Sequence, residues 1–541
     1  MAMKLNPTRR SVRAALAGTV ALAALVGGGL TGCSAGGGAA APAPGGDVAP
    51  SGDPVYGGVL DVALPSIPAI IDPFATSLQA DWVIARQVCE PLFDTTTSYE
   101  VKPVLVDSYD YDGDVTYVLK LRSDVTFQSG ADLTPDDVIA SLERYFNTPG
   151  NGSILADMTK SIEATGNDEV TITLNSPSAI VPTLLTTAYI MPASVVKGRE
   201  ITDPVTELDC TGPYSLTSYS PNGEVVLDRW DGYTPAAGES DGGTGEKHAY
   251  ADQIVFTGVP EESTRIQQAE TGQIDLGGAV ALDNYDPIIQ NGQAQALTPK
   301  ASGSSTLVFN KAEGIMSDVR MRQAFLAALN IDDVLLAGFG NPDFYTVDGS
   351  FIPEVNAAWA TDAGTEPFNN QDLDKVAQLL DEAGYDGEPI VWMTTEEDPT
   401  WYGPAIPAQQ QLTEAGFNID LQVVDRATLI DRRNHPDQFD LFSSGIPTYA
   451  DPVLLPYLQE TFPGTWASEE RDELLESLSN EPDQAERKKI WDELQTLIWD
   501  EVPFMKFGSF GHVFVASADA HLERIEELDS SLFYNVWVDQ Q

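Results

Sequence analysis

The chain has 541 residues, 82 of them acidic and 29 basic, giving a formal net charge of −53. Nucleic acid and an anionic membrane surface are poor partners for such a balance, because binding phosphate needs clustered Lys and Arg; the acidity is spread along the chain and reads as a solvated, solubilising surface. A hydrophobic content of 42% is ample for sizeable cores, and length alone suggests two or more domains.

Lys4, Arg9, Arg10 and Arg13 precede an uncharged apolar run from Ala14 to Leu30, the layout of an export signal. The alternative is a retained membrane helix. Against it, the run is short for a span of ~20 apolar residues, and Gly18, Gly27, Gly28 and Gly29 loosen a helix. The residues LTGC, Leu30 to Cys33, resemble a bacterial lipobox. That resemblance implies that residues 1–32 are a signal peptide and that Cys33 is lipidated as the mature N-terminus. TRRSVR, Thr8 to Arg13, also resembles a twin-arginine signal, with Arg13 where a hydrophobic residue is usual, so the general secretory and twin-arginine routes both stay open. Residues 33–54 are dominated by Gly, Ala, Pro and Ser and read as a flexible tether.

The folded body opens with YGGVLDVAL, a strand pattern, and the Pro-rich loop PSIPAIIDPF. ADWVIARQVCEPLFD has helical spacing up to Pro91, and TYVLKLRSDVTF alternates like a half-buried strand. In LTPDDVIASLERYF, Thr134 is a helix cap, Pro135 takes the first helical position and acids follow in the first turn. DEVTITLNSP, EPIVWMTT and NIDLQVVD read as strands, while DVRMRQAFLAALNIDDVLLAGFG, DLDKVAQLLDEAGYDG and QAERKKIWDELQTLIWDEV read as amphipathic helices. The alternation gives a mixed α/β class. Once Cys33 is set aside, Cys89 and Cys210 form an even pair in an oxidising compartment, where a disulfide and two buried thiols are both open.

Patterns that carry chemistry are weak. Ser194 to Lys197 fit an S-x-x-K spacing, but the companion K-T-G is missing. Asp110, Asp112 and Asp114 suggest a calcium loop, yet the Gly and the distal bidentate Glu are absent, and a hairpin turn at Asp112-Gly113 accounts for them. His248, His435, His512 and His521 stand outside any Cys/His/carboxylate cluster and read as surface or loop residues. No enzyme, metal or cofactor is therefore expected.

The order of blocks GGVLDVAL…IDPF, YVLKLRSDVTFQSGADLTPDDVIASLERY, TGPYSLTSYSPNGEVVLDRWDGY, RIQQAETGQIDLG, LVFNKAEGIMSDVRMRQAFLAALN and LDKVAQLLDEAGY resembles the extracellular solute-binding proteins of bacterial ABC transporters, in the peptide- and nickel-binding group (family 5). The resemblance implies a two-lobed periplasmic-binding-protein-like fold. Lobe I would hold 55–305, with an inserted subdomain at 96–208 and a C-terminal return at 508–541; lobe II would hold 306–507. STLVFN and PFMKFGSF would be the hinge crossings. It also implies a monomer held at the extracytoplasmic face of the membrane, which delivers its ligand to an ABC permease and its ATPase.

In dipeptide and oligopeptide binders of this family, an aspartate shortly before a DP or EP pair holds the ligand's amino terminus. Here GIPTYADP puts Thr448 at that position, with Asp451 able to substitute only if the loop is shifted. Dipeptide binders also fix the carboxylate with an arginine; the matching MTTEEDPTWYG has Thr395 and Glu396 and no Arg. Trp401, Tyr402 and Tyr449 supply aromatic faces instead. With Ser66 from the Pro-rich loop, these eight residues are the candidate ligand-binding set. An oligopeptide leads as ligand, with an oligosaccharide or other small solute as the alternative. An extracellular hydrolase is the second alternative.

Overall fold

A computed structural model describes residues 53–75, 79–221, 223–299, 302–529 and 531–539. The export signal, Cys33 and the tether up to residue 52 lie outside the described residues. Among those described, no helix is long and apolar enough to cross a membrane.

Three sheets organise the chain. The first has seven strands in the order Ala294–Leu297, Val513–Ser517, Leu276–Val280, Val59–Leu64, Gln253–Gly258, Glu224–Arg229 and Tyr214–Tyr219. Its central strand Val59–Leu64 runs parallel to both neighbours, and its alternate residues Leu60, Val62 and Leu64 are buried, as the pattern GGVLDVAL requires. The second sheet has six strands in the order Tyr345–Thr346, Phe504–Phe510, Gly303–Phe309, Leu441–Pro447, Ile390–Thr394 and Ile419–Val423. Gly303–Phe309 and Phe504–Phe510 are buried along their whole length, including the polar side chains of Ser304, Ser305, Thr306, Lys506 and Ser509, as strands covered on both faces are. Between the first two strands of the seven-stranded sheet, the chain inserts an antiparallel four-stranded sheet of Val106–Tyr111, Thr116–Leu121, Glu169–Leu174 and Thr159–Ala164. The mixed α/β, two-lobed architecture follows from these layers.

Local chemistry explains most element boundaries. The helix Pro135–Tyr145 begins where Thr134 donates both its backbone N–H and its hydroxyl to the Asp137 carboxylate, at 2.9 and 2.6 Å. Gly113, at φ +76°, turns the hairpin between the first two strands of the inserted sheet, and the Asp112 carboxylate accepts the N–H groups of Asp114 and Thr116. The stretch DVRMRQAFLAALNIDDVLLAGFG is two helices rather than one, Val319–Ala327 and Ile331–Phe339. The break falls where Asn330 leaves the helix to cap the second by accepting the Asp333 N–H at 3.0 Å. Cys89 and Cys210 form a disulfide across 121 residues, which ties the end of helix Gln79–Val88 to the start of the TGPY segment.

By the order of its described strands the chain goes from one large sheet to the other twice, after Leu297 and after Phe510. STLVFN and PFMKFGSF are mostly antiparallel neighbours inside the six-stranded sheet, and the passages lie just beyond their cleft-side ends. The two passages run against each other. A Cβ at Gly511 would sit 2.2 Å from the Pro299 carbonyl oxygen, so only glycine fits at that approach.

Candidate ligand-binding site

A cavity of about 750 Å³ opens at these passages and is walled by the six-stranded sheet with the helices that follow its strands, by the loop and helix after Val59–Leu64, and by the inserted unit. Such a volume falls within the ~300–1,000 Å³ typical of pockets that enclose a ligand. Phe74, Trp82, Tyr99, Tyr145, Tyr189, Trp401, Tyr449 and Phe510 supply its aromatic walls.

The loop carrying Phe74 is fixed by a buried bidentate pair. Arg144 donates to Asp72 Oδ1 and Oδ2 at 2.9 and 2.6 Å, and Asp72 also accepts the N–H groups of Phe74 and Val205. Asp72 in IDPF thereby joins the first sheet's loop to the inserted unit. On the opposite wall, Asp398 caps helix Pro399–Glu414 by accepting the Thr400 N–H and hydroxyl, and the Thr400 carbonyl accepts the Ser305 hydroxyl at 2.7 Å. This fixes Trp401 in the first turn, against the backbone of Gly445. A Cβ at 445 would meet Trp401 Nε1 at 2.6 Å, so the glycine makes room for the indole.

The candidate residues divide. Trp401, Thr448 and Tyr449 line the cavity. Thr395 is fully buried beneath it and Ser66 is exposed on a loop, neither on the lining. Glu396 is exposed outside it, where it bonds the Tyr402 hydroxyl; burial and then the Glu396 charge raise that phenol above its ordinary value. Asp451 also lies off the lining. Its carboxylate is 2% exposed and bidentate with Arg487, at 2.7 and 3.1 Å, while accepting the Val453 N–H at 3.0 Å. Its valences are spent on the fold, so as placed it is no ligand anchor.

Charge reaches the cavity from segments outside those eight residues. Arg426, at the start of helix Arg426–Arg432, lies 4.7 Å over the Trp401 ring and 3.3 Å from Asp398. The MTTEED segment itself lacks an arginine, but strands Ile390–Thr394 and Ile419–Val423 run parallel, so the helices after both begin at one sheet edge. Reading NIDLQVVD as the parallel neighbour of EPIVWMTT would have placed the following arginine here. Arg86 and Asp94 pair at 3.2 Å in the wall. Asp529 comes from the C-terminal return and accepts the Ser302 hydroxyl at 2.7 Å; enclosure by protein pushes its carboxyl up to about 7. Tyr99 reaches in from a tight turn with φ +62°, a conformation an aromatic residue adopts only under constraint. Its hydroxyl bonds Thr448, and burial, then the Asp529 charge, raise it to about 12.

His512 is exposed on a loop, as read from the sequence, though no sequence pattern signals that this loop faces the cavity. It lines the cavity at the second passage, and although its ring is open to the cavity, surrounding protein lowers the imidazole against the opposing charge of Asp398. Ser194 and Lys197 lie at a four-residue helix, Ala193–Val196, away from the lining. Among the described residues, no three His, Cys, Asp or Glu side chains are placed to hold a metal ion.

The sequence matches the family model "Bacterial extracellular solute-binding proteins, family 5 Middle" over residues 100–465. It is 27% identical over 462 residues to a probable peptide ABC transporter periplasmic-binding protein of Sinorhizobium fredii, covering 81% of this chain and 86% of that one. It is 25% identical over 471 residues to the glutathione-binding protein GsiB of Shigella flexneri, covering 82% and 87%. The fold superposes on the ABC transporter substrate-binding protein CtaP of Listeria monocytogenes with a TM-score of 0.78 at 20% identity, covering 90% of this chain and all of the other.

Proposed function

The chain belongs to the bacterial extracellular solute-binding proteins of family 5, and we propose that it is the lipid-anchored substrate-binding component of an ABC importer, capturing an oligopeptide. The reading takes residues 55–305 and 508–541 as lobe I and 306–507 as lobe II, hinged at the two passages. Cys33 carries the lipid and residues 33–54 the leash.

One observation carries the ligand reading: the cavity at the two passages has aromatic walls and carries both signs of charge. Trp82 lines it with an indole N–H that has no partner among the described residues, a donor suited to a ligand carbonyl. Arg426, half exposed, presents cationic surface above Trp401, which suits a peptide carboxylate. The peptide and glutathione named for the two relatives are of the same chemical class. Ligand touching both walls favours the closed state and no bond is made or broken, so the step is hinge closure and delivery to the permease.

An oligosaccharide is the second reading, favoured by the stacking faces of Trp401 and Tyr449. Thermal-shift titration with tetrapeptide and oligosaccharide mixtures separates the two. Stabilisation by peptides with the compounds recovered intact supports the proposal. Stabilisation by sugars alone replaces it with the second reading, and consumption of the compound would make the protein a hydrolase.

A further inference from the structure

The cavity's charges do not balance. Asp94 is neutralised by Arg86 at 3.2 Å and Asp398 by Arg426 at 3.3 Å. Asp529 also lines the wall, and no Lys, Arg or His lies within 4 Å of its carboxylate among the described residues. Among the described residues the hydroxyl of Ser302 is its one side-chain donor, and Ser302 Oγ in turn accepts the His512 backbone N–H at 3.2 Å. The carboxylate is thus braced from both passages between the sheets, and its charge acts on the Tyr99 phenol. A carboxylate enclosed in protein is stable only with a countercharge or a proton.

We propose that Asp529 is the seat for a cationic group of the ligand, so that the site selects solutes carrying an ammonium at that end. In the oligopeptide reading, on which this rests, that group is the free amino terminus. The amine then lies at the Asp529 carboxylate, near the Tyr99 phenol and opposite the Arg426 end. The charge expected from the GIPTYADP segment comes from the C-terminal return instead. Because Ser302 and His512 flank the seat, filling it also bridges the two passages about which the lobes would close.

Enclosure holds the Asp529 carboxyl at about 7, with Ser302 opposing the rise and Glu526 adding to it. The groups facing it are Ser302, Glu526 and Tyr99. A bound ammonium needs the ionised form, so affinity rises with pH towards about 7 and levels off above it.

The test uses calorimetry with wild-type protein, Asp529→Asn and Asp529→Glu. The probes are a mixture of tetrapeptides without Lys, Arg or His, the same mixture N-acetylated, and spermidine as a cation that is not a peptide. Expected is at least tenfold tighter wild-type binding of the free-amino mixture than of the acetylated one. Asp529→Asn should lose that tenfold and its pH dependence while leaving the acetylated affinity within about twofold, and Asp529→Glu should restore part of the preference. A free-amino preference unchanged in Asp529→Asn overturns the seat, as does equal binding of both mixtures by wild type or binding of no probe at all. Binding of spermidine but of neither mixture, with loss in Asp529→Asn, keeps the seat and ends the peptide reading. A pH dependence that survives in Asp529→Asn belongs to His512 or to the Asp398–Arg426 pair, and overturns the assignment.

Discussion

Asp451→Asn separates a structural carboxylate from a ligand anchor. The residue is 2% exposed and its two oxygens take both Arg487 guanidinium nitrogens, at 2.7 and 3.1 Å. Arg487 also donates to the Leu478 carbonyl at 3.0 Å and lies 4.9 Å over the Trp359 ring, so it cannot swing out to water without breaking helix Gln484–Glu501 from its neighbours. Replacing the carboxylate by an amide leaves a buried cation half-matched, which costs about 3–5 kcal/mol. With an unfolding entropy of about 2.1 cal/mol/K per residue, a cooperative body of roughly 490 residues has about 1 kcal/mol/K, so Tm should fall by about 3–5 °C. Calorimetric melting measures this, and replacing both partners, Asp451→Leu with Arg487→Met, should recover most of the loss. Ligand chemistry should be unchanged in Asp451→Asn once the protein is folded. A Tm within 1 °C of wild type together with abolished binding would refute the reasoning and make Asp451 the anchor.

Trp401→Ala should weaken the true ligand by about ten- to a hundredfold, since one aromatic contact is worth ~1–3 kcal/mol; calorimetry checks it, and Gly445→Ala should act in the same direction by displacing the indole. Removing the Cys89–Cys210 bridge opens a 121-residue loop, which on chain entropy costs about 5 kcal/mol; the double Cys→Ser protein should melt several degrees lower. Burial holds Glu527 at about 8 and Asp275 at about 6, as enclosure holds Asp529 at about 7. All three are raised above their unfolded values, so the folded state binds more protons. Stability from this source is therefore lost as pH rises from about 4 to about 8, and Tm should be higher at pH 5 than at pH 8.

The elements were legible where a local cause sets them. Thr134-Pro135 with Asp137 three residues later marks a helix start from sequence alone, and Asp112-Gly113 marks a hairpin. The lining aromatics Trp401 and Tyr449 were legible too, because they flank the C-terminal ends of strands. The pairing of Asp451 was not legible because its partner Arg487 lies 36 residues downstream on a helix that no local pattern connects to it. Arg426 required knowing that two strands run parallel. Asp529 arrives from a return segment more than 200 residues from Ser302, the residue that holds it. Long-range pairing leaves no trace in composition or periodicity.

Native mass spectrometry of the protein mixed with a broad pool of tetrapeptides and oligosaccharides, followed by denaturation and sequencing of what is retained, tests the central claim. The account predicts one peptide per chain, recovered intact, with free amino termini, and much less of it in Trp401→Ala. Retention of sugars in place of peptides, or equal peptide retention by Trp401→Ala, would contradict it.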